Sequence, residues 1–337
     1  MKNFCKKTIA LLLTLGILFS VFSIGSTAAP AAESPTASAE TALMQTVANA
    51  PNPVIVVPGI GMSAVALFDD EGNQIRNDGA FPDTWNVLNL YTGDLMANLW
   101  KIVPKFLLSI ALQRDIGLSD TVRDYLPGAF KYSAHNNMGE SIENVRAIER
   151  NYPLSQYNEG AKNSFYNMMP MRNFIDLIGE DRVYCFNFPP FSSTYEHAAR
   201  LDEFVQMVKA QTGSQKVNLV ALSLGATVTN AYFDDYAYKK DVAKVVNVVA
   251  SSNGSLVFAD LVGQNYSDKS AELFYKDMMP QLIKGWQGYL VNLAMRILPK
   301  KVFNNILDAA FEVVREHFFR NIPSMWATVP SERYEEY

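Results

Sequence analysis

Four short runs rich in β-branched residues place the strongest constraint on how this chain folds. They are continuously apolar rather than alternating, which is typical of strands covered on both faces by other elements. The runs are PVIVVPG (Pro53–Gly59), RVYCFNF (Arg182–Phe188), KVNLVALS (Lys216–Ser223) and KVVNVVASSN (Lys244–Asn253). Helical patterns lie between them, in TYEHAARLDEFVQMVKAQTG and GATVTNAYFDDYAYKKD. Alternation of strands and helices predicts an α/β fold with a mostly parallel sheet and helices on both faces.

Two segments interrupt this alternation. Residues 84–180 form a predicted helical insertion, with an apolar helical stretch broken at Pro104. Residues 260–326 contain no strand-like run and predict a helical cap or lid. Neither segment has 18 uninterrupted apolar residues, so neither predicts a membrane-spanning helix.

The amino terminus predicts export. Residues 1–28 combine a basic start, an apolar stretch and a small-residue cleavage site after Ala28, which is the pattern of a bacterial-type signal peptide; an uncleaved membrane anchor is the alternative. Residues 29–50 are rich in Ala, Pro, Ser and Thr and predict a flexible leader. Removal of the signal peptide, which contains Cys5, would leave Cys185 as the one cysteine. Cys185 lies in an apolar run, which predicts a buried hydrophobic side chain rather than a reactive thiol.

The overall charge argues against a nucleic-acid partner. The chain carries 29 basic and 34 acidic residues, a formal net charge of −5. An acidic balance disfavours binding to a polyanion. The sequence has no metal-ligand cluster and no cofactor motif, so we expect neither a metal nor a cofactor.

Ser223 is the predicted nucleophile. It lies in Ala221-Leu222-Ser223-Leu224-Gly225, where an apolar strand turns into a helix. This pattern matches the nucleophile elbow G-x-S-x-G with alanine in place of the first glycine, and the small flanking residues allow close approach to the neighbouring backbone. The helix that follows presents free N–H groups to developing negative charge. A buried serine in a tight turn is the alternative.

The loop after the first run predicts the other half of an oxyanion hole. A glycine-containing loop directly after an early strand supplies the second donor in elbow enzymes. In VVPGIGMS the donor is the backbone N–H of Ile60 or Gly61, and it would act together with the N–H of Leu224.

The chain resembles an exported α/β-hydrolase lipase, and more narrowly the branch that contains lecithin:cholesterol acyltransferase and bacterial lipases. The resemblance spans about residues 51–330. It rests on PVIVVPGIGMS, DRVYCFNF, EHAARLDEFVQMV, VNLVALSLGATV, VVASSNGSLVFADL and IPSMWATVP. NFPPFSS replaces the Tyr-Asp-Trp-Arg that is frequent in the family, and the loop glycine is displaced by one position, which leaves Ile60 and Gly61 as alternatives.

The resemblance implies a core over residues 51–259, and an acid and a histidine that follow the serine along the chain. Only His317 follows Ser223, in a predicted amphipathic helix, and Asp260 is the candidate acid. Both also fit structural roles, on a helix surface and in a helix cap. Two strand units that carry the acid and the histidine are expected beyond the cap, so residues 327–337 are interpreted as the start of a missing portion and the sheet as incomplete. The stretch 29–337 alone is expected to have little esterase activity.

Two functions follow as hypotheses. The first is a secreted serine hydrolase that cleaves carboxylic or lipid esters, or transfers their acyl group, through an acyl-enzyme on Ser223, with transient contact to a lipid surface. Apolar cap residues such as Met279 and Trp286 suit an acyl chain. The second is a non-catalytic binding protein on a degenerate or truncated hydrolase scaffold.

Overall fold

The computed structural model describes residues 52–75, 97–169, 171–256, 259–260, 263 and 297–336. The predicted signal peptide and leader lie outside these residues. So do most of the predicted cap, including Met279 and Trp286, and the first part of the predicted insertion. No helix among the described residues has both the length and the apolar character needed to cross a membrane.

The core is a parallel four-stranded sheet, which confirms the predicted α/β class. Its strands are β1 (Val54–Val57), β4 (Val183–Cys185), β5 (Val217–Leu222) and β6 (Val242–Val248), and their order in the sheet is β4-β1-β5-β6. β1 therefore lies at the centre, with Ile55 opposite Tyr184 on one side and Leu219 on the other. A separate antiparallel pair joins β2 (Val65–Leu67) to β3 (Val145–Ala147).

The helices occupy the connections between the strands. They are α1 (Leu99–Leu112), α2 (Leu118–Ala129), α3 (Glu159–Met168), α4 (Arg172–Ile178), α5 (Thr194–Thr212), α6 (Gly225–Tyr236), α7 (Lys300–Val313) and the short α8 (Pro323–Trp326). α7 continues into a π-helical segment, Val314–Phe319. Helix α5 ends at Thr212 and is capped by Gly213, which adopts the left-handed conformation with φ of +67°.

The sheet separates two apolar layers. The cluster on one face joins β1, β4 and β5 to helices α5 and α6, and includes Ile55, Val57, Leu219, Leu201, Val205 and Val228. The cluster on the other face joins the same strands to the segment that contains α3 and α4, and includes Val56, Val220, Leu154, Phe165 and Ile175. The continuously apolar sequences of β1, β4 and β5 thus serve two cores at once.

Strand β6 differs from the prediction that all four runs are covered on both faces. Val245, Val246 and Val248 are exposed by 36%, 53% and 39%, although they belong to opposite faces of the strand. The two apolar clusters draw on β1, β4 and β5, and only Val242 of β6 packs against one of them. Within the described residues β6 pairs with β5 alone and is therefore an edge strand.

Two features of the predicted insertion also differ from expectation. Pro104 does not break the apolar helix but lies inside α1. A proline there removes one backbone hydrogen bond, and packing of Ile102 against Leu118 and Val302 offsets that cost. The segment also contributes β3 to the small antiparallel sheet, which the helical pattern did not predict.

Candidate active site

Ser223 occupies a strained turn between β5 and α6. Its φ is +47°, in the left-handed region that non-glycine residues rarely adopt. Four hydrogen bonds fix this turn. The Ser223 N–H donates to the Val248 carbonyl at 3.0 Å, and the Ser223 carbonyl accepts from the Ala226 N–H at 3.0 Å. The same carbonyl accepts from the Ser251 N–H at 3.3 Å and from the Ser251 hydroxyl at 2.9 Å.

Two glycines allow backbone segments to approach this turn closely. A Cβ on Gly225 would lie 2.2 Å from the Val57 carbonyl oxygen and 2.7 Å from that of Pro58, so no other residue fits there without movement of β1 or α6. A Cβ on Gly59 would lie 3.0 Å from the Cβ of Ser223. These contacts give the physical reason for small residues around the serine.

The loop after β1 borders the serine. Residues Gly59 to Met62 form a turn in which the Met62 N–H donates to the Gly59 carbonyl at 3.2 Å, and Gly61 has φ of +77°. The Met62 thioether folds back over the turn and accepts the Gly59 N–H at 3.3 Å. Because Gly59 lies beside Ser223, this turn brings the backbone of Ile60 and Gly61 to the same end of the sheet as the serine.

Leu224 completes the predicted set of oxyanion donors. It follows Ser223 directly, is 1% exposed, and precedes the first residue of α6. The amide of Leu224 therefore lies at the amino terminus of a 12-residue helix, where the helix dipole favours negative charge. The structure brings Ser223, Leu224 and the Ile60–Gly61 turn together, and both Ile60 and Gly61 remain candidates for the second donor.

The candidate acid, Asp260, and the candidate base, His317, are both accessible to solvent. The Asp260 carboxylate is about half exposed, at 49%, and forms an ion pair with Arg333 at 3.4 Å. His317 is exposed on the π-helical segment after α7. Among the described residues no hydrogen bond or ion pair joins Asp260 to His317, or either of them to Ser223.

The other two histidines are buried and held neutral. His197, in α5, is 2% exposed and packs on Phe188 with ring centroids 4.9 Å apart. Burial, assisted by the charge of Arg200, lowers the pKa of His197 to about 4. Burial also lowers the pKa of His135, although its Nδ1 lies 2.9 Å from the Ser133 carbonyl oxygen.

Cys185 is a buried free cysteine in the sheet. Burial raises the pKa of its thiol to about 12, so the reactive thiolate is scarce at neutral pH. No cluster of three or more His, Cys, Asp or Glu side chains with the geometry of a metal site occurs in the described part of the chain.

Two residues at this end of the sheet were missed by the sequence analysis. Ser251 donates its hydroxyl to the Ser223 carbonyl, but a serine in the loop after a strand carries no specific signal. Gly254 allows the carboxyl-terminal segment to approach, because a Cβ there would lie 2.4 Å from the Pro330 nitrogen. The feature that sets Gly254 apart is its positive φ of +81°, and the sequence gives no indication of it.

A polar cavity of about 390 Å³ lies one helical turn from the serine. Its lining includes Thr227 and Asn230 of α6, Tyr195 of α5 and Ser252. The Thr227 hydroxyl donates to the Leu224 carbonyl, which connects the cavity wall to the elbow. Its volume lies within the range of small-molecule sites.

Comparison of the sequence with protein-family models and with curated proteins gives no match.

Proposed function

We propose that the chain is a serine hydrolase of the α/β-hydrolase type, with Ser223 as the nucleophile. The observation that carries this proposal is the φ of +47° at a serine between a buried parallel strand and a helix. Strain of this kind persists only where the surrounding structure imposes it, and it clusters at functional sites. In nucleophile elbows it exposes the serine hydroxyl above the sheet.

The residues around Ser223 suit acyl transfer. The serine oxygen attacks an ester carbonyl, a base takes the hydroxyl proton, and the carbonyl oxygen becomes an oxyanion. The N–H of Leu224 and that of Ile60 or Gly61 would donate to this oxyanion, and the α6 dipole would add to the stabilisation. Loss of one such donor typically lowers the rate constant by about 10²–10³.

We propose carboxylic or lipid esters as the substrates, with acyl transfer to an alcohol as a variant of the same chemistry. Support comes from the apolar sequence of residues 260–326 and from the resemblance to secreted lipases. Residues 1–28 support a secreted location and transient contact with a lipid surface. The proposal needs no cofactor.

A non-catalytic binding function is the second candidate. The observation that favours it is the ion pair between Asp260 and Arg333, which gives the candidate acid an arginine as its partner. In that case the strained turn at Ser223 would be a retained feature of the scaffold.

A fluorophosphonate probe separates the two candidates, because it reacts only with an activated serine. The Ser223 oxygen forms a bond to phosphorus and fluoride leaves. We expect labelling at Ser223 alone in a full-length form of the protein, and loss of labelling in Ser223→Ala of that form. Any turnover of p-nitrophenyl esters should fall in parallel, by about 10⁴–10⁶ for an intact catalytic set.

Ser155→Ala provides the matched control, since Ser155 is exposed in a short turn. It should retain full labelling. Labelling that survives in Ser223→Ala would contradict the assignment of the nucleophile. A folded full-length form that takes no label would favour the binding function.

A further inference from the structure

Met62 is bonded twice to Gly59 across the turn that follows β1. The Met62 N–H donates to the Gly59 carbonyl at 3.2 Å, and the Met62 thioether accepts the Gly59 N–H at 3.3 Å. Between these two residues lie Ile60 and Gly61, which carry the candidate second donor of the oxyanion hole. Met62 therefore closes the segment that holds this donor.

The backbone N–H groups of the turn differ in how they are engaged. Gly59 is buried, and within the described residues the Met62 sulfur is the one acceptor of its N–H. Ile60 and Gly61 donate their N–H groups to no acceptor in the described part of the chain. A buried N–H group without an acceptor is unfavourable, and a shift of the backbone relieves it. The thioether thus satisfies Gly59 and leaves the N–H groups of Ile60 and Gly61 available to a ligand.

The Met62 side chain is anchored in the core beside the serine. Met62 is half-buried and packs against the cluster on the α3–α4 face of the sheet, which includes Val56 and Leu222. A Cβ on Gly59 would lie 3.4 Å from the Met62 sulfur and 3.0 Å from the Ser223 Cβ. Packing in this cluster therefore fixes where the sulfur, and with it the turn, lies relative to Ser223.

We propose that Met62 is a positioning residue of the candidate active site, whose thioether accepts the Gly59 N–H and so holds the Ile60–Gly61 turn in place to donate to the oxyanion. This inference rests on the proposed hydrolase function of Ser223. A thioether is a weak acceptor, so the loss of this bond should leave the fold intact. A small displacement of a positioning group can nevertheless lower a rate by about 100-fold.

Two substitutions separate the acceptor from the packing of Met62. Met62→Leu keeps an apolar side chain of similar volume but removes the acceptor. Met62→Asn loses apolar volume but keeps an acceptor, because its Oδ1 is separated from Cα by the same number of bonds as the methionine sulfur. Met62→Gln takes its place if Met62→Asn does not fold, as judged by far-UV circular dichroism.

The rate of fluorophosphonate labelling of Ser223 is measured in a full-length form of the protein. We expect Met62→Leu to be labelled about tenfold or more slowly, and Met62→Asn to recover most of the rate. A role in packing alone predicts the opposite order. Met138→Leu is the matched control, because Met138 is 82% exposed and lies outside the turn. It should be labelled at the unmodified rate.

Amide exchange of Gly59 tests the contact independently of catalysis. The chain contains two Pro–Gly pairs, Pro58–Gly59 and Pro127–Gly128. Proline labelled with ¹³C at its carbonyl, combined with ¹⁵N-glycine, therefore selects two amide signals, and Gly128 in α2 is the internal reference. We expect exchange of Gly59 to be about tenfold faster in Met62→Leu and slow again in Met62→Asn, with Gly128 unchanged.

The positioning role and the proposed function fail on different results. Labelling of folded Met62→Leu at the unmodified rate would overturn the positioning role alone. So would Gly59 exchange that does not respond to Met62→Leu, because the thioether would then not hold this N–H. If a folded, unmodified full-length form takes no label, the proposed hydrolase function is wrong and the positioning role falls with it.

Discussion

At the scale of single residues, two of the four described non-glycine residues with positive φ lie at the same end of the sheet. Ser223 and Val249 both have positive φ, at +47° and +44°, and Val249 is a β-branched residue for which this conformation is especially unfavourable. Val249 directly follows the residue that accepts the Ser223 N–H. Each strained residue costs about 1–3 kcal/mol. The hydrogen bonds from Ser251 and Ala226 hold the serine in place despite this cost.

His197 should make stability depend on pH. Its pKa falls from the ordinary 6.5 to about 4 in the fold, so the unfolded chain binds more protons between these values. Stability is therefore full above about pH 6.5 and is lost as the pH falls toward 4. The contribution of this group should drop by about 2 kcal/mol between pH 7 and pH 5. Urea unfolding of His197→Gln at both pH values should lack that part of the decrease.

The unmodified chain, unfolded in urea at the same two pH values, is the reference for this comparison. If His197→Gln lost as much stability between pH 7 and pH 5 as the unmodified chain, the ring would not be held neutral by burial.

At the scale of elements, the contact between α6 and β1 sets the position of the elbow. Gly225→Ala would place a methyl group against backbone oxygens of β1, which cannot rotate away. We expect a loss of about 1–3 kcal/mol in the free energy of unfolding, measured in urea. Fluorophosphonate labelling of Ser223 should also fall, since the start of α6 would move.

Gly160→Ala is the matched control for this prediction. Gly160 lies in the first turn of α3, and its added methyl would meet only the Asn158 side chain at 3.5 Å. Alanine should be neutral there or stabilise by up to about 1 kcal/mol. Equal effects of the two substitutions would contradict the close contact with β1.

The elements also show which parts of the structure the sequence can predict. β-branched runs bounded by turn residues were sufficient to locate β1, β4, β5 and β6. Composition could not reveal that β6 is uncovered, because an apolar run reads the same whether or not other elements pack on it. The β2–β3 pair was missed because three residues of pairing depend on a partner far along the chain.

The candidate site also contains residues that the sequence can predict and residues that it cannot. Ser223, Leu224 and the Ile60–Gly61 turn follow from a local strand–turn–helix pattern, so the sequence could predict their proximity. Ser251 depends on the register of β6 against β5, which no local pattern encodes. The sequence offered Asp260 and His317 only by chain order, and the structure gives Asp260 an arginine partner.

At the scale of the whole molecule, β1 joins both cores. Ile55 and Val56 are each 0% exposed and belong to opposite faces. Ile55→Ala should therefore cost about 2–5 kcal/mol in the free energy of unfolding. The transitions followed by fluorescence and by far-UV circular dichroism should shift together in urea, because the loss affects the structure globally.

Ile142→Ala is the control for a surface site, since Ile142 is 63% exposed and its replacement should change the free energy by less than about 0.5 kcal/mol. Separate transitions for the two probes in Ile55→Ala would show that the layers on the two faces of the sheet unfold independently.

The central position of β1 also governs when the protein can fold during its own synthesis. Its two neighbours, β4 and β5, are made long after it, and β5 ends only at Leu222. At about 5–20 residues per second, ribosomes need on the order of ten seconds or more to cover that interval. Until β4 has been made, Val54–Val57 has neither of its two neighbours in the sheet, and until β5 follows it has only one of them, so the nascent sheet stays open. An open chain is the form that can be threaded through a translocation channel, as the predicted signal peptide would require.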